Sequence, residues 1–124
     1  MNGDYASMVF NEESLRNQVK KEFEKKLVSL FLDVIIVAHF KDATFKASEA
    51  LRFVQERFGV LINPGKVYQV VYAMEREGLV KGSYEERKRV YQVTDFGKLT
   101  LEVATSPEEI EAFMATMLEN SALK

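Results

Sequence analysis

The stretch Asn63-Pro64-Gly65-Lys66-Val67-Tyr68-Gln69-Val70-Val71-Tyr72-Ala73-Met74-Glu75-Arg76-Glu77-Gly78 decides how this chain is read. It opens on asparagine, a good N-cap, with proline at the first helical position. It closes on glycine, which readily takes the left-handed conformation that stops a helix. Between these signals Val67, Val70, Val71 and Met74 recur at i, i+3, i+4, i+7, the spacing of one buried helical face. Opposite them lie Gly65, Gln69, Tyr72 and Arg76, with Lys66, Tyr68 and Ala73 on the flanks. That outward face combines a residue small enough for close approach, an amide able to pair with adenine, and cations for guanine or phosphate. The first turn of such a helix also turns free N–H groups toward phosphate. A plainer reading, a helix that only solvates its surface, is weighed against this one by what flanks the segment.

Upstream, Ala47, Leu51, Val54 and Phe58 line one face of a helix over 47–58 that Gly59 ends, and a short connection through Ile62 follows. Downstream, Leu79–Tyr84 and Lys88–Val93 read as two strands around the charged tip Glu85-Glu86-Arg87, with Tyr91 and Val93 directed to the core. Thr94 caps a further helix reaching Ala104. Ser106-Pro107-Glu108-Glu109 is a capping-box start for a last one ending near Asn120. Ahead of all these, Glu12 to Phe40 is helical throughout. Leu15, Val19, Phe23 and Leu27 recur every four residues, and Lys20–Glu24 and Glu22–Lys26 pairs support the exposed side. The spacing leaves open whether this is one helix or two meeting near Lys25. Leu27–Phe40 is apolar nearly all round and is expected at the centre of the core.

These elements predict a mainly α fold with a small β-hairpin (α+β): a winged helix-turn-helix with extra N- and C-terminal helices. Residues 1–124 read as a single domain, with an N-terminal helical extension over 1–26, a winged-helix core over 27–104 and a C-terminal helix over 106–120. The hairpin Ser83-Tyr84-Glu85-Glu86-Arg87-Lys88-Arg89 would be the wing. Its return side offers Arg87, Lys88 and Arg89 to a phosphate backbone, while its two glutamates partly cancel them.

Composition narrows the function. The chain of 124 residues is 47% apolar and 29% charged, an ordinary balance for one folded domain. Cysteine is absent, which removes disulfides, thiolate metal sites and thiol nucleophiles. One histidine, His39, cannot build a multi-histidine metal site. No nucleophile, acid–base pair or metal constellation is visible, so the chain is expected to be no enzyme and to need no cofactor or metal. The N-terminus lacks the basic start and early apolar run of a signal peptide. The apolar Leu27–Phe40 stretch falls short of the roughly 20 residues of a membrane span. A cytoplasmic location without membrane attachment is expected. The net charge is −2, but it is unevenly spread: residues 63–98 carry seven basic against five acidic side chains, and residues 99–124 one against five.

At this point the sequence resembles a known family. The run from Asn63 to Val80, with its Pro-Gly pair, following Tyr and terminal Glu-Gly-Leu-Val, looks like the pattern of PadR-type winged-helix transcription regulators. Arg89-x-Tyr91-x-x-Thr94-x-x-Gly97 is similar to that family's second strand and the helix start after it. The resemblance covers residues 27–104. It departs at Ala47-Ser48-Glu49, where His-Gly-Tyr is common, at Asn63, where serine is usual, and in the short segment after Thr105. The resemblance implies a homodimeric regulator of transcription, usually a repressor, that binds double-stranded DNA and dimerises through C-terminal helices. Carried over by position, Lys66, Tyr68 and Gln69 begin the recognition helix, and Lys88 and Arg89 lie in the wing. The full candidate DNA-contact set is Asn63, Gly65, Lys66, Tyr68, Gln69, Tyr72, Arg76, Arg87, Lys88 and Arg89.

Two apolar stripes are left over. Ile110, Phe113, Met114, Met117 and Leu118 line an acidic last helix, and Leu15, Val19 and Phe23 line the first. Both are expected at a two-fold interface between copies of the chain, and methionine adapts well to such contacts. The last helix could instead cover its own domain. A pocket lined by Phe and Met at that interface could hold a small aromatic effector. His39 reads as a partly buried or capping residue. Asp33, amid Leu30, Phe31, Leu32, Val34 and Ile35, must reach solvent or a hydrogen-bond partner, a cation of a second copy among the options. The competing function is a winged-helix protein–protein interaction module without DNA binding, because fold alone does not settle function.

Overall fold

Helix-forming signals dominate the computed structural model, which describes residues 2–59 and 62–122, with side-chain surroundings for 11–59 and 62–119. In chain order it contains α1 (Asn2–Leu30), α2 (Leu32–Phe40), α3 (Ala47–Phe58), α4 (Pro64–Arg76), β1 (Val80–Glu85), β2 (Lys88–Val93), α5 (Asp95–Ala104) and α6 (Pro107–Ala122). The result is the mainly helical fold with one hairpin that the sequence predicts. Among the described residues no helix is long and apolar enough to cross a membrane. By internal contacts the chain divides into two compact units, one ending at Phe31 and the other beginning at Leu32.

The first unit is α1. It begins at Asn2, ten residues ahead of the Glu12 start read from the apolar repeat. Leu15, Val19 and Phe23 stand on one side of it, all exposed. Of the expected ion pairs, Glu22 reaches Lys25 at 3.3 Å rather than Lys26. The helix ends at Leu30 and a single turn residue, Phe31, precedes α2, so the chain breaks six residues later than the Lys25 region where a junction was considered. This break accounts for Asp33. It falls in the first turn of α2, where a helix end favours negative charge, and its Oδ1 accepts the Val34 N–H at 2.7 Å.

In the second unit α2 is the central element, packing on α4, α5 and β2. Leu32, Ile36 and Val37 of α2, Ala50 and Val54 of α3, and Val67, Val71 and Met74 of α4 form its core with Val80, Val90, Tyr91 and Val93 of the hairpin. Val70, placed on the buried face of α4 by the periodic pattern, is only half-buried. Between α2 and α3 the connection holds Phe45, which is fully buried. Its backbone bridges Tyr91, with Phe45 N–H to Tyr91 O at 2.9 Å and Tyr91 N–H to Phe45 O at 2.7 Å. Its ring stacks on Phe40 at 4.5 Å. A lone residue thus stands as a third strand beside Tyr91 of the two-stranded sheet. His39 is exposed rather than partly buried, its ring stacked on Phe53 at 3.7 Å.

The hairpin pairs antiparallel, with Val80 opposite Val93 and Glu85 opposite Lys88, so β1 begins one residue later than the sequence pattern suggests. Thr94 links the hairpin to α5. Its hydroxyl accepts the Gly97 N–H at 3.0 Å as an N-cap and donates to Gly78 O at 2.5 Å. Gly97 is buried against the Leu79 carbonyl, and a methyl there would meet that oxygen and, at 3.0 Å, Val93 Cγ1. Glycine is needed for this close approach of helix to strand. Ser106 Oγ accepts the Glu109 N–H at 3.3 Å, the cap that starts α6.

Candidate nucleic-acid interface

The site is built on α4. Asn63 caps it in extended conformation, its Oδ1 accepting the Gly65 N–H at 2.8 Å, and Pro64 takes the first helical position. At the other end Gly78 adopts φ 82°, and the Leu79 N–H closes on Met74 O at 2.8 Å. With Val67, Val71 and Met74 buried, the rotation of the helix is fixed. Asn63, Gly65, Lys66, Gln69, Tyr72 and Arg76 are exposed, while Tyr68 and Ala73 are half-buried. The Tyr68 and Tyr72 rings lie 6.4 Å apart along this surface. One solvent face of a single helix therefore carries an amide, two phenols and two cations.

The wing stands beside the end of α4. A two-residue loop, Glu86 and Arg87, joins the strands with φ of 50° and 68°. Positive φ at both central positions is the geometry of a type I′ turn, which usually employs Asn-Gly. Arg87 and Lys88 are exposed. Arg89 is placed differently. Its guanidinium is ion-paired with Glu75 of α4 and lies over the rings of Tyr84, at 5.2 Å, and Tyr91, at 5.7 Å. Hydrogen bonds to Glu75 first and to Tyr91 second hold the guanidinium still more firmly protonated than an ordinary arginine. Burial in turn pushes the Tyr91 phenol up from its ordinary value.

Gly82 makes this arrangement sterically feasible. It sits opposite Tyr91 in the register, on the same face as Tyr84 and Arg89, and a methyl there would collide with the Glu75 carboxylate and lie 2.6 Å from Arg89 Nη2. Reasoning from sequence gave no part in the site to Glu75 or Gly82. The available signal was the glycine itself, since an isolated glycine inside a strand often marks close approach of another group.

The apolar residues assigned to self-association are placed on two helices. Leu15, Val19 and Phe23 are exposed on α1. On α6, Phe113, Met114, Met117 and Leu118 are exposed and Ile110 is half-buried. Phe113, at 58% exposure, is largely uncovered.

Comparison with known proteins gives a consistent picture. Residues 48–103 match the family model of the transcriptional regulator PadR-like family. Among solved structures, a PadR family transcription regulator from hypervirulent Clostridium difficile R20291 is similar, with a TM-score of 0.54 and 23% identity, covering 76% of this chain and 99% of that one. A PadR-like transcriptional regulator from Bacillus cereus strain ATCC 14579 gives a TM-score of 0.56 at 18% identity, covering 80% and 97%. A transcriptional regulator from Clostridium thermocellum gives 0.56 at 18%, covering 80% and 96%. These likenesses establish a shared fold. No curated protein sequence matches the chain.

Proposed function

From the PadR-like winged-helix domain carried by residues 48–103, we propose that the protein is a sequence-specific regulator of transcription that binds double-stranded DNA as a homodimer, as a repressor. The observation that carries this reading is the exposed face of α4, where Lys66, Gln69, Tyr72 and Arg76 stand clear of the core beside a wing bearing exposed Arg87 and Lys88. In this reading α4 lies in the major groove. Gln69 and Lys66 contact base edges near the helix start, Tyr68, Tyr72 and Arg76 flank them, and the Asn63–Gly65 turn approaches a phosphate. Arg87 and Lys88 lie along the backbone.

The dimer in this reading uses the apolar stripes of α1 and α6. Glu108, Glu109, Glu111 and Glu119 make α6 acidic, which directs it away from DNA. Two-fold symmetry then sets two recognition helices about one DNA turn apart on a palindromic operator.

The test is selection from a randomised duplex pool, followed by fluorescence anisotropy on the selected duplex at two salt concentrations. Wild type is expected to bind tightly and to lose affinity steeply with salt. Gln69→Ala is expected to relax preference at one base pair, by about 1–3 kcal/mol. Absence of binding at low salt would overturn the proposal and direct attention to a protein partner.

A further inference from the structure

The wing carries three consecutive cations, yet the structure gives them two different surroundings. Arg87 and Lys88 are exposed and, among the described residues, in no ion pair, whereas Arg89 faces inward to α4. Its partner, Glu75, belongs to the helix whose outer face is the candidate reading surface. The two side chains are 37% and 30% exposed, between core and solvent, and they meet across the gap left by Gly82.

Three features make this more than a surface ion pair. It joins two separate elements, the C-terminal half of α4 and the return strand of the wing. The guanidinium also lies within 5.2 Å of the Tyr84 ring centre and 5.7 Å of that of Tyr91, so two aromatic faces attract the same cation. Tyr91 is itself held by Phe45 through two backbone hydrogen bonds, which anchors the whole assembly to the core. Arginine suits such a site because its planar fork can pair and stack at once.

Resting on the DNA-binding reading above, we propose that Glu75 and Arg89 are positioning residues that clamp the wing to the recognition helix. Arg89 therefore sets the geometry of DNA binding without itself contacting phosphate. The carboxylate neutralises the cation, so breaking the pair has two separable consequences. Loss of the clamp lets wing and helix move apart, which reduces discrimination between duplexes. Loss of the carboxylate alone also releases a cation that any phosphate can attract.

The experiment compares wild type, Glu75→Gln, Arg89→Gln and the double variant on the duplex selected by wild type and on a scrambled duplex. Both affinities are measured across salt concentration, with thermal melts confirming folding. All three variants are expected to lose about tenfold in the ratio of selected to scrambled affinity, roughly the discrimination of one base pair. The double variant should lose no more than either single one. Glu75→Gln should steepen the salt slope by about one unit, and the double variant, which has no cation to release toward phosphate, should keep the wild-type slope. A double variant with full discrimination and a slope shallower by about one unit would overturn the clamp and make Arg89 a phosphate contact. Should the double variant melt early, Gly82→Ala crowds the pair without altering any charge. It should reproduce the lost discrimination, and unaltered discrimination there would equally overturn the clamp. Wild type that selects no duplex refutes the DNA-binding reading and takes the clamp with it; wild type that discriminates while the variants match it refutes the clamp alone.

Discussion

Replacing Glu86 and Arg87 together by Asn and Gly is expected to make the fold more stable and its grip on DNA weaker. Both residues occupy the left-handed region, with φ of 50° and 68°. For an L-residue that conformation costs roughly 1–2 kcal/mol, while asparagine tolerates it and glycine has no Cβ to strain. Glycine gives back roughly 0.5–1 kcal/mol through the greater freedom of its unfolded chain. The net gain is about 1 kcal/mol, or a rise in melting temperature of roughly 4–8 °C for a cooperative unit of this size. The two replaced side chains have opposite charge, so the net charge stays at −2 and overall electrostatics cannot explain a change. Thermal and urea melts measure the gain. On the proposed DNA-binding reading the same variant also lacks one cation that meets phosphate, so its salt slope should be shallower by about 0.9. The slope is the better readout, because loss of Glu86 also lifts a repulsion that would mask a drop in affinity. A melting temperature unchanged or lowered, with the urea m-value constant, would refute the view that the wing tip is strained. A strained turn kept at a functional tip fits the general tendency for such backbone to collect where binding occurs.

Other outcomes follow from the same geometry. Gly97→Ala should destabilise by about 1–3 kcal/mol, since the added methyl meets the Leu79 backbone carbonyl, which cannot rotate away; urea melts with an unchanged midpoint would contradict this. Burial raises the Tyr91 phenol above its ordinary value of 10.0, so the folded state keeps that proton longer than the unfolded chain does. Its contribution is complete below pH 10.0 and is lost as pH climbs through the raised value. The alkaline fall in stability should therefore be less steep in Tyr91→Phe, and equal declines in both proteins would count against it. Phe113→Glu, at an exposed position of α6, should shift sedimentation toward monomer while leaving the helical circular dichroism unchanged. An unaltered dimer would move the interface elsewhere.

Much of the fold was legible where the signals are local. The bounds of α4 follow from Asn63, Pro64 and Gly78, each acting on its own neighbours, and β2 and the Thr94 cap follow in the same way. The break at Phe31 was not legible, because the apolar spacing runs through it and Asp33 reads as an oddity inside one helix rather than as the first turn of another. Phe45 was hidden for a different reason. A single bridging residue has no period, and only Tyr91, far along the chain, gives it a partner. The candidate site divides along the same line. The outer face of α4 can be read from a helical wheel, but the pairing of Glu75 with Arg89 depends on strand register and on the space at Gly82, neither of which is a property of the helix. Equal charges in sequence, at Arg87, Lys88 and Arg89, consequently acquire unequal surroundings in space.

The lone bridge at Phe45 also leaves the sheet with two unlike borders. On its outer side β2 is met by Phe45, whereas among the described residues β1 pairs with β2 alone. The outer backbone of β1 is therefore a row of N–H and C=O groups that could template a strand from another molecule, the usual starting point of aggregation. The strand that carries this liability is short and bears Lys81 and Glu85, both exposed, with Gly82 between them. Charge at each side and a residue of low strand propensity in the middle oppose growth of the sheet beyond the hairpin. The glycine that admits the Glu75–Arg89 pair on one face thus also helps keep the wing of one molecule from adding to the wing of the next.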